Sequence, residues 1–237
     1  HKSNSNKNNV SILCTRPLPQ ELLQDAAVSG VNIDVLPFIE TETISTVEVQ
    51  QEIEQVALQS CTVVFTSMNA VEAVTDFLDG QETDWKIYAL GTTTQKLAAD
   101  FFGEHSIAGT ASDATALAHE IVEAGDVEEV NFFCGDRRRE ELPQILKANG
   151  IEVNEITVYH TVATPHKINK GYVGILFFSP SAVDSFFSAN KVAENTLMFA
   201  IGNTTAAAIK KYSNNKIIIA DEPGKENLVE KAISYFS

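Results

Sequence analysis

Short polar turns follow several apolar runs of this chain, and they are the residues best suited to binding a ligand. The turn Thr66-Ser67-Met68-Asn69 follows the run that ends at Phe65, and Gly91-Thr92-Thr93-Thr94 follows the run that ends at Leu90. Ser, Thr and Asn at such positions commonly cap the next helix, where free backbone N–H groups and the helix dipole attract anions. A single turn of this kind is more often structural than functional, so the prediction of a binding site depends on how many there are.

The same turns return later in the chain. Residues 65–71 resemble residues 177–183, which carry Ser179 and Ser181, and residues 88–94 resemble residues 199–205, which carry Thr204 and Thr205. A third match runs in the opposite order, because Ile12-Leu13-Cys14 resembles the later Phe132-Phe133-Cys134. This order predicts two similar units, one of which is inserted into the other.

Continuously apolar runs indicate strands that are buried on both faces of a parallel sheet. They lie at 10–13, 62–65, 87–90, 130–133, 173–178, 197–201 and 217–220. Helical periodicity follows at 69–78, 93–102, 114–124, 138–148, 182–187, 204–212 and 226–236, and Gly30 and Gly150 stand where helices are expected to end. The alternation predicts an α/β protein with two similar doubly wound parallel-sheet domains, one inserted in the other and joined by a two-stranded β-ladder.

The expected domains follow from the repeat. Residues 10–36 and 166–237 form the first, discontinuous domain, and residues 43–155 form the second. Residues 37–42 and 156–165 read as extended linker strands, and residues 1–9 as a disordered tail. Two similar α/β domains joined by a pair of linkers predict a ligand cleft where the polar turns meet.

The arginines form a second group of candidate ligand contacts. The chain has four arginines, of which Arg137, Arg138 and Arg139 are consecutive and follow the run that ends at Cys134. Arg16 follows Cys14 at nearly the equivalent place in the other unit. A run of charges is usually a solvated face, but local positive charge in an acidic chain also favours an anionic ligand.

Composition excludes several classes of function. The formal net charge of −15 disfavours a nucleic-acid partner, and no apolar run approaches the length of a membrane span. The three cysteines lie in strand-like runs without zinc-ligand spacing, which predicts buried thiols in a reducing compartment, here the cytoplasm. The sequence shows neither metal-ligand spacing nor a cofactor-binding loop, so none of its motifs calls for a metal or a cofactor, and we expect a monomer.

Short motifs along almost the whole chain after the tail together resemble the uroporphyrinogen-III synthase family. The motifs are Thr15-Arg16-Pro17, Phe65-Thr66-Ser67 with Asn69-Ala70-Val71, Gly91 with Thr94, Cys134-Gly135 with Arg139-Glu140, Val158-Tyr159-His160-Thr161, Phe178-Ser179-Pro180-Ser181, and Ile201-Gly202 with Thr204-Thr205-Ala206. Each motif is weak alone, whereas their order, their spacing and the interleaved duplication are typical of the family.

The resemblance implies a reaction and the residues that perform it. The substrate would be hydroxymethylbilane, a linear tetrapyrrole with eight carboxylates, which the family closes to uroporphyrinogen III through a spiro intermediate, with inversion of ring D and loss of water. Tyr159 would be the general acid that helps the terminal hydroxyl to leave. Without the resemblance, Tyr159 would be interpreted as a packing aromatic. The residues expected near the substrate carboxylates are Arg16, Ser67, Asn69, Thr94, Arg137, Ser179, Ser181, Thr204 and Thr205, although many relatives carry a basic residue where Asn69 stands.

Two other functions compete with this interpretation. A non-catalytic two-domain protein that closes on a small polyanionic ligand would have a similar cleft, although no apolar signal segment precedes the first strand. A nucleotide-binding sensor is the other alternative, but none of the turns carries the full phosphate-loop or dinucleotide glycine pattern.

Overall fold

A computed structural model describes residues 9–222 and 224–237 of the chain. Most of the tail predicted at 1–9 therefore lies outside the described residues. The chain divides into two compact units, of which the first extends to Glu40 and resumes over Val162–Ser237, and the second comprises Thr41–Thr161. Within the two described ranges, no helix is both long enough and apolar enough to span a membrane.

Strands and helices alternate along the chain. The strands are β1 (Val10–Cys14), β2 (Val31–Val35), β3 (Ile39–Thr43), β4 (Cys61–Phe65), β5 (Trp85–Leu90), β6 (Ile107–Ala111), β7 (Glu129–Gly135), β8 (Glu152–Ala163), β9 (Gly174–Phe177), β10 (Leu197–Ala200) and β11 (Ile217–Ile219). The helices are α1 (Gln20–Val28), α2 (Val47–Ala57), α3 (Met68–Leu78), α4 (Thr92–Phe102), α5 (Ala114–Ala124), α6 (Glu141–Ala148), α7 (Pro180–Ala189), α8 (Asn203–Lys210) and α9 (Lys225–Phe236).

The first unit is a five-stranded parallel sheet with helices on both faces. Its strands lie in the order β11-β10-β9-β1-β2. One face packs against α7 and α8, where Phe186 and Ile209 are fully buried. The other face packs against α1 and α9, where Ala26 and Leu228 are fully buried. Apolar side chains on both faces explain why its strands are continuous apolar runs.

The second unit repeats this arrangement and adds one strand. Its sheet has the order β3-β8-β7-β4-β5-β6, with every pair from β8 to β6 parallel. One face carries α2, α3 and α4 around Phe65 and Phe133, and the other carries α5 and α6 around Phe132. The order β6-β5-β4-β7-β8 matches β11-β10-β9-β1-β2 strand for strand, so the sequence repeat is also a repeat of topology.

Strand β8 belongs to the second unit more fully than the sequence predicted. Its first half pairs in parallel with β7 from Glu152 to Tyr159, and its residues Ile156 and Val158 are buried in the core of that unit. The expected linker 156–165 therefore begins inside the sheet. Strand β3 pairs with β8 and so joins this sheet, and the Ile44 N–H directly after β3 donates to the Val158 carbonyl.

Among the described residues, one helix and two strands have no counterpart in the sequence prediction, and a second helix, α1, was predicted only by its end at Gly30. Helix α2 is rich in β-branched residues, which favour strands, yet Ile53, Val56 and Ala57 at helical spacing bury one face. Helix α1 follows Pro19 and has no side-chain cap. Strand β2 alternates buried and exposed positions, and β6 is a half-exposed edge strand that contains a glycine, so neither reads as an apolar run.

Helix α6 begins later than predicted. The sequence placed its start at Arg138, whereas the helix runs from Glu141. Pro143 lacks a backbone N–H and therefore fits best in the first turn, where that group has no intrahelical partner. Gly30 and Gly150 lie just beyond α1 and α6 with φ values of 79° and 78°, so the structure confirms the two predicted helix ends.

The aromatic core of the second unit provides a test of its stability. Phe65 is fully buried, and its ring stacks on Phe133 with centroids 5.6 Å apart. We expect Phe65→Ala to lower the free energy of unfolding by about 3–5 kcal/mol, because a cavity replaces the ring. Urea unfolding followed by the fluorescence of Trp85, a buried residue of the same core, measures this loss.

The control is Leu58→Ala, which truncates a side chain that is 75% exposed. It is expected to change the free energy of unfolding by less than about 0.5 kcal/mol. Equal losses in the two variants would contradict the packing described for this core.

Candidate active site

Polar turns lie at the carboxyl ends of the central strands in each unit. In the second unit, β4 leads to α3 through Ser67, and β5 leads to α4 through Gly91. In the first unit, β9 leads to α7 through Ser179, and β10 leads to α8 through Gly202. Ligands of open α/β sheets bind at this edge, because the helix N-termini there present unpaired N–H groups.

Ser67 is the N-cap of α3. Its backbone is extended, with φ −145° and ψ 139°, and its hydroxyl oxygen accepts a hydrogen bond from the Asn69 N–H at 3.1 Å. This bond satisfies one of the free donors at the start of the helix and fixes the side-chain oxygen at the carboxyl end of β4. Ser67 therefore has a structural role as well as any role in binding.

The same oxygen of Ser67 accepts a hydrogen bond from Tyr159. The Tyr159 hydroxyl lies 3.0 Å from the Ser67 Oγ, although the two residues are 92 positions apart in the chain. Strand β8 positions Tyr159, and its half-buried ring packs against the core around Phe65 and Phe133. Burial raises the pKa of Tyr159, and the negative charge of Asp136 raises it further, against the opposing effect of the Ser67 hydrogen bond. Tyr159 consequently keeps its proton at neutral pH.

Asn69 lies beside this pair. Its side-chain oxygen accepts a hydrogen bond of 3.4 Å from the Thr41 hydroxyl on β3. Thr41 was not predicted as a site residue, because the sequence of residues 37–42 indicates only an extended linker. Thr41, Ser67, Asn69 and Tyr159 thus form one polar cluster in the second unit, at the carboxyl ends of β4 and β7.

The other predicted binding residues differ in their exposure to solvent. Thr94 in α4 and Thr205 in α8 are 6% and 2% exposed, so little of either residue is open to solvent. Thr204 is exposed, and Ser181 is half-buried. Ser179 caps α7 by accepting a hydrogen bond from the Ala182 N–H at 3.2 Å.

The arginines divide into two kinds. Arg138 forms an ion pair with Glu155 at 3.0 Å and also donates to the Gly135 carbonyl at 3.3 Å, so its charge is used within the second unit. Arg137 is exposed. Arg16 is half-buried, and its guanidinium lies 5.5 Å from the centre of the Phe178 ring. Arg16 and Arg137 can approach an anion more readily than Arg138.

The buried thiols have weak nucleophilic character. Burial raises the pKa of both Cys14 and Cys134 to about 11, so both remain protonated at neutral pH. All three cysteines are free, as predicted. Among the described residues, no group of His, Cys, Asp and Glu side chains is arranged to hold a metal ion.

Similar folds occur among solved structures. The uroporphyrinogen-III synthetase of Helicobacter pylori matches with a TM-score of 0.66 at 19% identity, over 95% of this chain and 99% of that chain. A mutant uroporphyrinogen III synthase of Thermus thermophilus matches with a TM-score of 0.62 at 14% identity, over 96% of this chain and 98% of that chain. At these identities the matches establish the fold.

A family model establishes the evolutionary relationship. A comparison with curated proteins found no match. The family model for uroporphyrinogen-III synthase HemD, however, matches residues 20–230, which include all of the second unit, most of the first and every predicted site residue except Arg16. The chain therefore belongs to the uroporphyrinogen-III synthase family.

Proposed function

We propose that this protein is a uroporphyrinogen-III synthase that closes hydroxymethylbilane to uroporphyrinogen III. Its family makes it an enzyme of tetrapyrrole biosynthesis with a small tetrapyrrole substrate. The observation that carries the proposal from family to chemistry is the Tyr159 hydroxyl, a partly buried proton donor held at the carboxyl edge of the sheet by Ser67. Reaction with loss of water would make the enzyme a cyclising hydro-lyase.

The reaction needs acid assistance at one atom. The terminal hydroxyl of the bilane leaves as water once it receives a proton, the spiro intermediate forms, and ring D is inverted before the macrocycle closes. A carbon of ring D loses a proton when the macrocycle closes, which balances the proton donated to the leaving hydroxyl, so the net change is the loss of one water without oxidation or reduction. We therefore assign the proton donation to Tyr159, and we assign no cofactor or metal.

The raised pKa of Tyr159 fits a group that must carry a proton at the start of each turnover. A tyrosine that has been ionised could not act as a general acid, and burial disfavours that ionisation. The weak acidity of a tyrosine also limits its driving force. Folding of the substrate by carboxylate contacts therefore contributes to the rate together with Tyr159.

The carboxylates of the bilane are proposed to bind at the helix N-termini of both units. The backbone N–H groups of α3, α4, α7 and α8 would supply much of the binding, because they point out of the sheet edge. The side chains that we assign to this role are Arg16, Ser67, Asn69, Thr94, Arg137, Ser179, Ser181, Thr204 and Thr205. For Thr94 and Thr205, of which little is exposed, we also expect contacts from the neighbouring backbone N–H groups.

We further propose that the enzyme acts as a monomer in the cytoplasm, without a nucleic-acid partner. The net charge of −15 supports the last point, because a phosphate backbone would be repelled. Gel filtration with light scattering tests the oligomeric state, and a second species at working concentration would overturn it.

The product isomer decides the function. Hydroxymethylbilane also closes slowly without enzyme, but to the isomer in which ring D is not inverted. We expect the purified protein to form the inverted isomer, identified by chromatography after oxidation of the product. Formation of the uninverted isomer at the uncatalysed rate, with retained binding of the bilane, would instead support the non-catalytic binding protein.

Removal of a single oxygen tests the role of Tyr159. We expect Tyr159→Phe to lower kcat by roughly 10²-fold without abolishing it, since general acid catalysis commonly contributes at least this much. The ring and its packing remain, so the unfolding midpoint should change little. Single-turnover kinetics measure the effect, and full kcat in this variant would refute the general-acid assignment.

The matched control is Tyr235→Phe, which removes an exposed hydroxyl from α9 in the first unit. This variant is expected to keep the kcat of the unmodified protein.

Salt should weaken binding of the polyanionic product, although the protein itself is acidic. Contacts between carboxylates and helix N-termini or arginines are screened as the Debye length falls from about 10 Å at 0.1 M salt to about 3 Å at 1 M. Anaerobic titration with uroporphyrinogen III at low and high ionic strength should therefore show a higher Kd at high salt.

Two variants localise the salt effect. Arg16→Gln should reduce the salt dependence of the Kd. Lys147→Gln removes an equal charge from the last turn of α6, at the opposite end from the helix N-termini, and should leave it unchanged. A Kd that is independent of salt in the unmodified protein would count against binding of carboxylates by these groups.

A further inference from the structure

Gly135 is the last residue of β7, and the ring of Tyr159 covers it. A Cβ atom placed on Gly135 would lie 2.6 Å from the Tyr159 Cε2 and 2.8 Å from the Tyr159 hydroxyl oxygen. Carbon atoms in van der Waals contact are separated by about 3.5–4.0 Å, so no side chain fits at this position while the ring stays where it is. The hydroxyl-bearing edge of the Tyr159 ring therefore packs directly against the backbone of Gly135.

Hydrogen bonds also connect the residue after Gly135 to the backbone around Tyr159. The Asp136 N–H donates to the Tyr159 carbonyl at 3.2 Å, and the Thr161 N–H donates to the Asp136 side chain at 3.0 Å. The pairing of β7 with β8 shifts register between Cys134 and Gly135, so that Gly135 pairs with Tyr159 rather than with Val158. This irregularity brings the ring over the one position of β7 that lacks a side chain.

The first unit lacks this arrangement at the equivalent place. Strand β1 corresponds to β7 by its position in the sheet and by the Cys14–Cys134 match, which makes Thr15 the counterpart of Gly135. Thr15 is 1% exposed, and its hydroxyl donates to the Leu176 carbonyl at 2.7 Å. The repeated fold therefore accepts a β-branched residue here, and the glycine is specific to the unit that carries Tyr159.

We propose that Gly135 is the positioning residue of Tyr159, which sets the place of the tyrosine hydroxyl by leaving room for its ring. This inference rests on the general-acid role assigned to Tyr159 above. Ser67 holds the hydroxyl from one side with a 3.0 Å hydrogen bond, and the bare backbone of Gly135 supports the ring from the other. A methyl group at residue 135 would push the ring away and stretch or break the bond to Ser67.

Kinetics of Gly135→Ala test whether the effect passes through the tyrosine hydroxyl. We expect kcat to fall by roughly 10²-fold with a much smaller change in KM, as for a catalytic group displaced by about 1 Å. In a Tyr159→Phe background the same substitution should cost little further kcat, because the hydroxyl that it displaces is already absent. Full, multiplicative losses in the double variant would overturn the proposal.

A matched control separates positioning from general strain. Gly109 lies on the edge strand β6 of the same unit, and a Cβ there would lie 2.7 Å from a Glu120 carboxylate oxygen and 2.8 Å from the ring of Tyr88. Gly109→Ala therefore introduces similar crowding against another tyrosine, away from Tyr159. We expect this variant to retain the kcat of its folded fraction, and an equal loss of kcat in both variants would overturn the proposal.

Ring resonances provide a readout that does not depend on catalysis. In protein labelled with ¹³C-tyrosine, Tyr159→Phe and Tyr88→Phe assign the two rings by loss of their signals. Gly135→Ala should shift the Tyr159 signals and leave those of Tyr88, and Gly109→Ala should do the reverse. Unshifted Tyr159 signals in Gly135→Ala would overturn the proposal. If the Tyr159 signals shift but the protein has no synthase activity, the contact between residue 135 and Tyr159 is supported and the proposed function is refuted.

If Gly135→Ala does not fold, the urea unfolding of a double variant tests the proposal instead. Replacing the ring as well, in Gly135→Ala with Tyr159→Ala, removes the clash, so the double variant should fold with the urea midpoint of Tyr159→Ala alone. A double variant that remains unfolded while Tyr159→Ala folds would show that residue 135 must be glycine for another reason, and would overturn the proposal.

Discussion

The parallel pairing of β8 with β7 is the interaction on which the candidate site depends. It buries Ile156 and Val158 in the core of the second unit and carries the chain on to Tyr159 at the sheet edge. The hydroxyl then meets Ser67, which is fixed independently as the cap of α3. The position of the proposed proton donor is thus determined by the sheet and by a helix N-terminus, both of which are rigid elements.

The two units share one fold but differ at the place of the proposed proton donor. Their sheets have the same strand order, and each places polar turns at the carboxyl ends of equivalent strands. The difference is local: Thr15 completes a hydrogen bond inside the first unit, whereas Gly135 in the second leaves space for an aromatic ring. Binding of carboxylates needs only helix N-termini, which both units have, while proton donation needs one ring held in one place.

The sequence alone predicted most of the fold, because strands buried on both faces are continuously apolar and a duplicated unit repeats its motifs. Elements whose strand or helix signal is mixed were missed, such as the β-branched helix α2 and the half-exposed strand β6. Ser67 was identifiable as a cap from its residue type and position. The pairing of Ser67 with Tyr159 was not, since 92 positions separate them and only the folded sheet brings them together. The contact between Gly135 and Tyr159 could not be predicted either, because only the folded sheet brings the two residues together.

The acidity of the chain constrains how a polyanionic substrate can be held. A net charge of −15 repels carboxylates at long range, so attraction must come from groups in direct contact. Arg138, the most enclosed of the three consecutive arginines, is neutralised by Glu155, and that pair ties the segment after β7 to β8 rather than facing a ligand. Backbone N–H groups carry no net charge. The surrounding acidic side chains influence them only through the local electric field. Helix N-termini supported by a few arginines such as Arg16 are therefore the groups by which we propose that this acidic protein binds an acidic tetrapyrrole at short range.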